Sequence, residues 1–263
     1  MDNDKSTEEA VRRAIDKMHS NLGEALTIDD MARAAMFSKF HFSRIFRRIT
    51  GISPGRFLSA ARLQEAKNLL LSTSLNVADI SLRVGYSSVG TFSSRFSRSV
   101  GMSPTVYRRH HGYSTHIPVH PRGSQAKTSA TVEARIVSSS EEAPGPVFVG
   151  LFPDPLPEGR PLRCAVLNEP GPFVLQDVPE GTWYLLAQAG FAQTHGPSAA
   201  ASTAGRQLLV ASRGPLVCGR GAIVRADELH LKPSRVFDPP VLLALLEIRR
   251  NALEQLQYES RAA

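Results

Sequence analysis

The stretch TIDDMARAAMFSKFHFSRIFRRITGISPGRF (27–57) returns as a pattern in NVADISLRVGYSSVGTFSSRFSRSVGMSPTVY (76–107). From Ser38 onward the offset is 50, pairing Ser38 with Ser88, Phe42 with Phe92, Phe46 with Phe96, Gly51 with Gly101 and Ser53-Pro54 with Ser103-Pro104. Before Ser38 the offset is 49, pairing Ile28 with Val77 and Met31 with Ile80. The one-residue slip falls where a turn absorbs an insertion while both flanks stay in phase. A repeated supersecondary unit has that signature.

Each copy reads as helix, tight turn, helix. Thr27 and Asn76 are N-cap residues ahead of an apolar i, i+3, i+4 pattern. Ala34-Ala35 and Val84-Gly85 mark the turns, with Gly85 free to take the left-handed conformation. The second helices are expected over Ser38–Thr50 and Ser88–Val100. Phe42, Ile45, Phe46 and Ile49 form the buried stripe of one, and Phe92, Phe96 and Val100 that of the other. Gly51 and Gly101 stop these helices. Ser53-Pro54 and Ser103-Pro104 open the next ones, Ser as N-cap and Pro at the first helical position. Between the copies, apolar residues at 57, 58, 61, 66, 69 and 70 of SPGRFLSAARLQEAKNLLLST (53–73) suit one continuous helix. A helix of about 20 residues spans ~30 Å. That length is compatible with two reading helices in successive major grooves, which lie ~34–36 Å apart.

Charge sorts the two halves. Of the net +7, residues 1–112 carry all, with 17 basic and 10 acidic side chains, while residues 113–263 carry 14 of each. Residues 31–112 hold 13 basic groups against two acids, Glu65 and Asp79. An excess of that size attracts a polyanion through counterion release. Cys164 and Cys218 are too few for a disulfide framework or a thiolate metal site and read as buried free thiols, with a redox pair as the alternative. No apolar run reaches the ~18–20 residues of a membrane span. The start, MDNDKSTEEA, is polar and acidic, unlike a signal peptide. A soluble, cytoplasmic protein is the expectation.

Residues ~10–110 resemble the DNA-binding domain of the AraC/XylS family of transcription regulators. The resemblance rests on A-R-L-x-x-A-x-x-L-L (Ala61–Leu70) and on the run from Gly85 to Arg108, G-Y-x-S, F-x-x-x-F and V-G-x-S-P-x-x-Y-R. The family implies two recognition helices in successive major grooves of double-stranded DNA. On the first, it implies base-edge contacts from Ser38, Lys39, Phe40, His41, Ser43 and Arg44. Arg44 can fork onto guanine O6 and N7. On the second, the base-facing positions are Ser88, Val89, Gly90, Thr91 and Ser94. The family usually carries Arg where Ser94 stands; here the Arg is one step later, at Arg95, ~100° around the helix. The second helix is therefore poor in base-specific donors and reads as an anchor. Phosphate contacts are expected from Arg47, Arg48, Arg62, Arg95, Arg98 and Arg108, with Arg33 a further candidate. The family's usual order places this domain at the C-terminus, whereas here it comes first.

Residues 113–131 are rich in Ser, Thr, Pro, Gly and His and read as a linker. His110, His111, His116 and His120 lie in or beside it without a nearby Cys or acidic ligand, so no metal is expected. Seven strands are expected at 132–137, 147–152, 162–167, 172–177, 182–188, 207–212 and 221–231, spaced as in a β-sandwich. GPFVLQDVPEGTWYLLA (171–187) resembles carboxypeptidase-regulatory-like, or transthyretin-like, domains, which implies a hairpin turn at Gly181 and Trp183 in the core. Residues 241–258, after Asp238-Pro239-Pro240, read as a helix that packs on the sandwich or pairs with a second chain. Asp177, His195 and Ser198 do not have the spacing of a triad.

The expected architecture is an all-α double helix-turn-helix domain (1–112), a linker (113–131) and a mostly-β sandwich with a C-terminal helix (132–263). The expected function is sequence-specific DNA binding by a non-enzymatic transcription regulator without cofactor. Double-stranded DNA is the partner; RNA polymerase, an unidentified small-molecule effector and a second copy through 241–258 are further candidates. The competing readings are an architectural protein of low sequence specificity and a DNA-binding domain fused to an enzyme.

Overall fold

The computed structural model describes residues 2–114, 129–138, 144–191, 208–243 and 245–246. The chain divides into two compact units. The first comprises Met1–Tyr113, Leu156–Gly159 and Arg235–Ala244, and the second comprises Ser114–Pro155, Arg160–Ser234 and Leu245–Ala263.

The first unit is helical: α1 (Asp2–Ser20), α2 (Ile28–Ala34), α3 (Lys39–Thr50), α4 (Pro54–Ser72), α5 (Val77–Arg83), α6 (Val89–Val100) and α7 (Pro104–Arg109). The side-chain caps expected at Thr27, Asn76 and Ser103 form, while Ser53 stands at the start of α4 without a side-chain cap bond. Thr27 closes a capping box with Asp30, whose carboxyl accepts from the Thr27 hydroxyl at 2.6 Å and the Thr27 amide at 3.0 Å. Those bonds hold the Asp30 carboxyl below its ordinary pKa. Asn76 caps α5 by accepting from Asp79 N at 2.8 Å. Gly51 and Gly101 take the left-handed conformation and end α3 and α6. Phe42, Phe46, Phe57, Phe92 and Phe96 are fully buried, as the two stripes require. Their rings meet edge-on or tilted along each copy, Phe42–Phe46–Phe57 and Phe92–Phe96–Tyr107.

Three contributions to this core lie outside the repeat. Helix α1 buries Val11, Ala14, Ile15 and Met18, an i, i+3, i+4, i+7 stripe. Leu156, and Phe237 with Leu242, belong to the same core although they come from distant sequence. The helix expected from residue 241 is not observed in its described part: Val241–Leu243 are irregular and Leu245–Leu246 form a short strand, β10. Leu242 is fully buried and Val241 offers its carbonyl to Lys67, so that stretch serves as a strap. The rest of the expected helix lies outside the described residues.

After β1 (Tyr113–Ser114), the second unit is built from β2 (Ala130–Ser138), β3 (Pro144–Phe152), β4 (Arg163–Leu167), β5 (Pro172–Val178), β6 (Gly181–Phe191), β7 (Leu209–Cys218), β8 (Ile223–Arg225) and β9 (Leu229–Pro233). They form one sheet in the order β4-β3-β6-β7-β9-β2-β5, with β8 beside β2. The expected strand at 221–231 is two strands. Thr131–Glu133 of β2 pair with β8 and Ile136–Ser138 with β9, both parallel. Inward residues from opposite ends of the sheet, Val149 and Leu151 of β3 and Phe173 and Leu175 of β5, share one core. The hairpin expected at Gly181 does not form, because β5 pairs with β2 while β6 pairs with β3 and β7. Gly181 instead sits against Trp183, whose ring carbon would lie 2.9 Å from an added Cβ. Trp183 is half-buried against the core. Strand β2 begins at Ala130, inside the stretch read as linker.

Candidate nucleic-acid interface

Helices α3 and α6 present the two candidate reading surfaces, and they differ in what they offer. On α3, Ser38, Lys39, Phe40 and Arg44 are exposed, and His41 and Ser43 are half-buried. Ser38 caps α3 through its backbone alone, so its hydroxyl is not spent on the cap. Phe40 is 87% exposed, an unusual position for a phenyl ring, and little among the described residues covers it. Arg44 Nη2 lies 3.4 Å from His41 Nδ1, and the His41 ring is met edge-on by Phe37 at 4.7 Å. This stack holds Arg44 beside His41 on one face. Ser43 donates to Lys39 O at 2.9 Å and Lys39 pairs with Asp29 at 3.3 Å, both at the surface. Arg47 and Arg48 are exposed in the last turn.

On α6, Ser88, Val89, Gly90, Thr91 and Ser94 are exposed, as is Arg98 one turn beyond Ser94. Ser88 accepts from Thr91 N at 3.4 Å, so its hydroxyl oxygen is engaged by the cap. Hydroxyls and a methyl surface are what this helix presents, without an amide or guanidinium among the five positions.

Three arginines expected at phosphate are engaged inside the unit. Arg62 donates to Gly85 O at 3.2 Å and Glu24 O at 2.6 Å, and burial lowers its pKa. It braces α4 against the turn before α6. Arg108 donates to Leu70 O at 2.9 Å, Thr73 O at 3.3 Å and Leu75 O at 2.6 Å. The last carbonyls of a helix have no intrahelical donor, and Arg108 supplies one for α4. Arg95 reaches Glu158, with Nη2 at 3.3 Å from Oε1 and 3.1 Å from Oε2. Arg33 pairs with Asp30 at 3.4 Å.

Two further residues were not singled out by the sequence. Lys67 is buried within α4, donates to Gln64 Oε1 at 3.3 Å and Val241 O at 2.9 Å, and burial lowers its pKa to about 7. Glu158 comes from the β3–β4 connection, and nothing in its local sequence marks it as a partner of α6. Among the described residues no group of three or more His, Cys, Asp or Glu could hold a metal ion. Cys164 and Cys218 are free thiols, one half-buried and one buried, with pKa values raised by burial. No helix among the described residues is long and apolar enough to cross a membrane. His116, His120, His195 and Ser198 lie outside the described residues.

Two helix-turn-helix units joined by a stiff helix, each with an exposed second helix in a basic setting, define a double helix-turn-helix DNA-binding module. Residues 31–110 match the family model described as a helix-turn-helix domain. The chain is 36% identical over 91 residues to the HTH-type transcriptional activator AarP of Providencia stuartii, covering 35% of this chain and 67% of that one. It is 31% identical over 102 residues to the lactose operon transcription activator of Staphylococcus xylosus, covering 39% of this chain and 37% of that one. An AraC-type transcriptional regulator structure from Chromobacterium violaceum aligns over 40% of this chain and 93% of its own, at 29% identity and a TM-score of 0.39. The chain belongs to the HTH-type transcriptional regulators.

Proposed function

We propose that the protein is a sequence-specific regulator of transcription that reads double-stranded DNA mainly with α3 and anchors itself with α6. The observation that carries this reading is the asymmetry of the two exposed faces. Helix α3 holds Arg44 beside His41 next to the bare ring of Phe40, whereas α6 offers small hydroxyl and methyl groups. An Arg fork on guanine O6 and N7 contributes ~1–3 kcal/mol of discrimination, and a phenyl ring packs on a thymine methyl. Arg47, Arg48 and Arg98 supply phosphate contacts that orient the helices without reading sequence. Arg62 and Arg108 act as internal braces. The balanced charge of residues 113–263 leaves DNA contact to the first unit, and the second unit is the module that senses a signal or docks RNA polymerase. The protein works where the DNA is, in the cytoplasm, and no catalytic step is assigned to it.

The test is selection of sites from random duplex DNA with the full chain, followed by Kd values for the selected site and a scrambled duplex. Arg44→Ala should shrink the ratio of the two by roughly five- to a hundredfold. Arg98→Ala should weaken both alike. An unchanged ranking of sites with Arg44→Ala would remove base reading from α3. A wild-type ratio near one would favour the architectural alternative instead.

A further inference from the structure

Copy two of the repeat is clipped in a way copy one is not. The offset of 50 places Arg95 where copy one has Ile45, and Ser99 where it has Ile49. Ile45 is buried in the apolar core. Arg95 and Ser99 meet a carboxylate instead: Ser99 Oγ donates to Glu158 Oε2 at 2.8 Å, and Arg95 straddles both oxygens. Arg56, in the first turn of α4, adds a third donor at 3.3 Å from Oε1. The carboxylate is fixed from behind. Gly159 N donates to Ser99 O at 2.8 Å, Leu156 is buried in the helical core, and Leu242 N donates to Pro157 O at 3.2 Å. The Glu158 side chain is 17% exposed and that of Arg95 23%.

An ion cluster is not required to hold a helix here, since copy one does so with apolar contacts. Partly desolvated ion pairs seldom outperform well-packed apolar groups. What the cluster adds is a change of charge: one acid neutralises the flank of α6 beside Ser94 and Arg98, in a segment whose own sequence is almost purely basic. We propose that Glu158 is a built-in counter-anion that withholds Arg95 from the DNA backbone and so sets the affinity of the second recognition helix. This rests on the reading of α6 as a DNA-facing anchor. A change that draws Leu156–Gly159 away from α6 releases a guanidinium for phosphate and tightens binding without altering which bases are read.

The test compares wild type, Glu158→Gln, Arg95→Gln and the double variant as full chains, on the selected duplex and a scrambled one, from 50 to 300 mM KCl. Glu158→Gln should bind both duplexes about eightfold tighter at 0.1 M salt, and its log Kd against log salt should steepen by about 0.9, the signature of one added phosphate contact. Arg95→Gln alone should change neither, and added to Glu158→Gln it should erase the gain. Weaker binding by Glu158→Gln with a lowered melting temperature would make Glu158 a structural clip only and overturn the inference. A shallower salt slope with Arg95→Gln alone would overturn it too, by showing that Arg95 already meets phosphate. If wild type binds neither duplex at 50 mM salt, the reading of the fold as a DNA reader fails first, a result distinct from either of these.

Discussion

The two turns of the repeat solve one backbone problem with different residues, which sets up a paired prediction. At the 49-residue offset Gly85 corresponds to Met36, and both take the left-handed conformation, at φ +84° and +57°. Each closes the same motif: Phe37 N donates to Ala32 O at 3.0 Å, and Tyr86 N to Ser81 O at 2.9 Å. A side chain in that conformation costs roughly 1–2 kcal/mol. Met36 is 76% exposed and gives up little burial if removed. Met36→Gly therefore recovers that strain less about 0.4–1 kcal/mol of added unfolded-state entropy, a net stabilisation of about 0.5–1 kcal/mol. Gly85→Ala meets the strain and more. Its Cβ would lie 2.4 Å from Leu22 O and 2.8 Å from the Arg62 guanidinium, so Arg62 must leave Gly85 O and Glu24 O. With hydrogen bonds to a charged group contributing about 1.5–3 kcal/mol each, the loss should exceed about 3 kcal/mol. Urea unfolding of the full chain followed by circular dichroism at 222 nm, dominated by the helical unit, measures both. A Gly85→Ala loss under 1 kcal/mol, or any destabilisation by Met36→Gly, would refute the assignment of strain and bracing to these turns.

Other outcomes follow from the buried cations. The folded pKa of Lys67, about 7, lies below its ordinary 10.5, so between those values the unfolded chain binds more protons and stability rises with pH. From pH 7 to pH 9 wild type should gain about 2 kcal/mol relative to Lys67→Met, with no such difference in slope below pH 6; parallel pH profiles would show that burial does not perturb this ammonium. Arg108→Ala strips donors from Leu70, Thr73 and Leu75 and should cost about 2–4 kcal/mol in the same unfolding assay. A salt slope of DNA binding that falls with Arg108→Ala while stability holds would instead return Arg108 to the phosphate. Thr27→Ala opens the capping box and should cost about 1 kcal/mol, read as a lowered Tm.

The α3 and α6 boundaries, their glycine stops and the Ser-Pro starts were legible because they depend on neighbours three or four residues apart. The exposure of these helix positions was legible for the same reason, since helical period alone puts Arg44 and Ser94 outside and Phe46 and Phe96 inside. The fate of the arginines was not. A guanidinium serves a phosphate or a carbonyl equally well, and only the position of α4's last turn sends Arg108 inward. The β-strands were legible one by one, yet their partners were not: Gly181 ends a strand connection that looks like a hairpin in sequence, and its neighbours pair elsewhere.

By itself the sequence determined a repeated helix-turn-helix with its positive charge confined to one half, because periodicity, caps and charge are local properties. Tertiary structure alone decided that this unit is completed by Leu156–Gly159 and Arg235–Ala244, that Glu158 closes on Arg95 and that Lys67 is buried beneath the strap. The Glu158–Arg95 and Lys67–Val241 contacts join residues 63 and 174 positions apart, and no local preference reports a partner that folding brings from so far away.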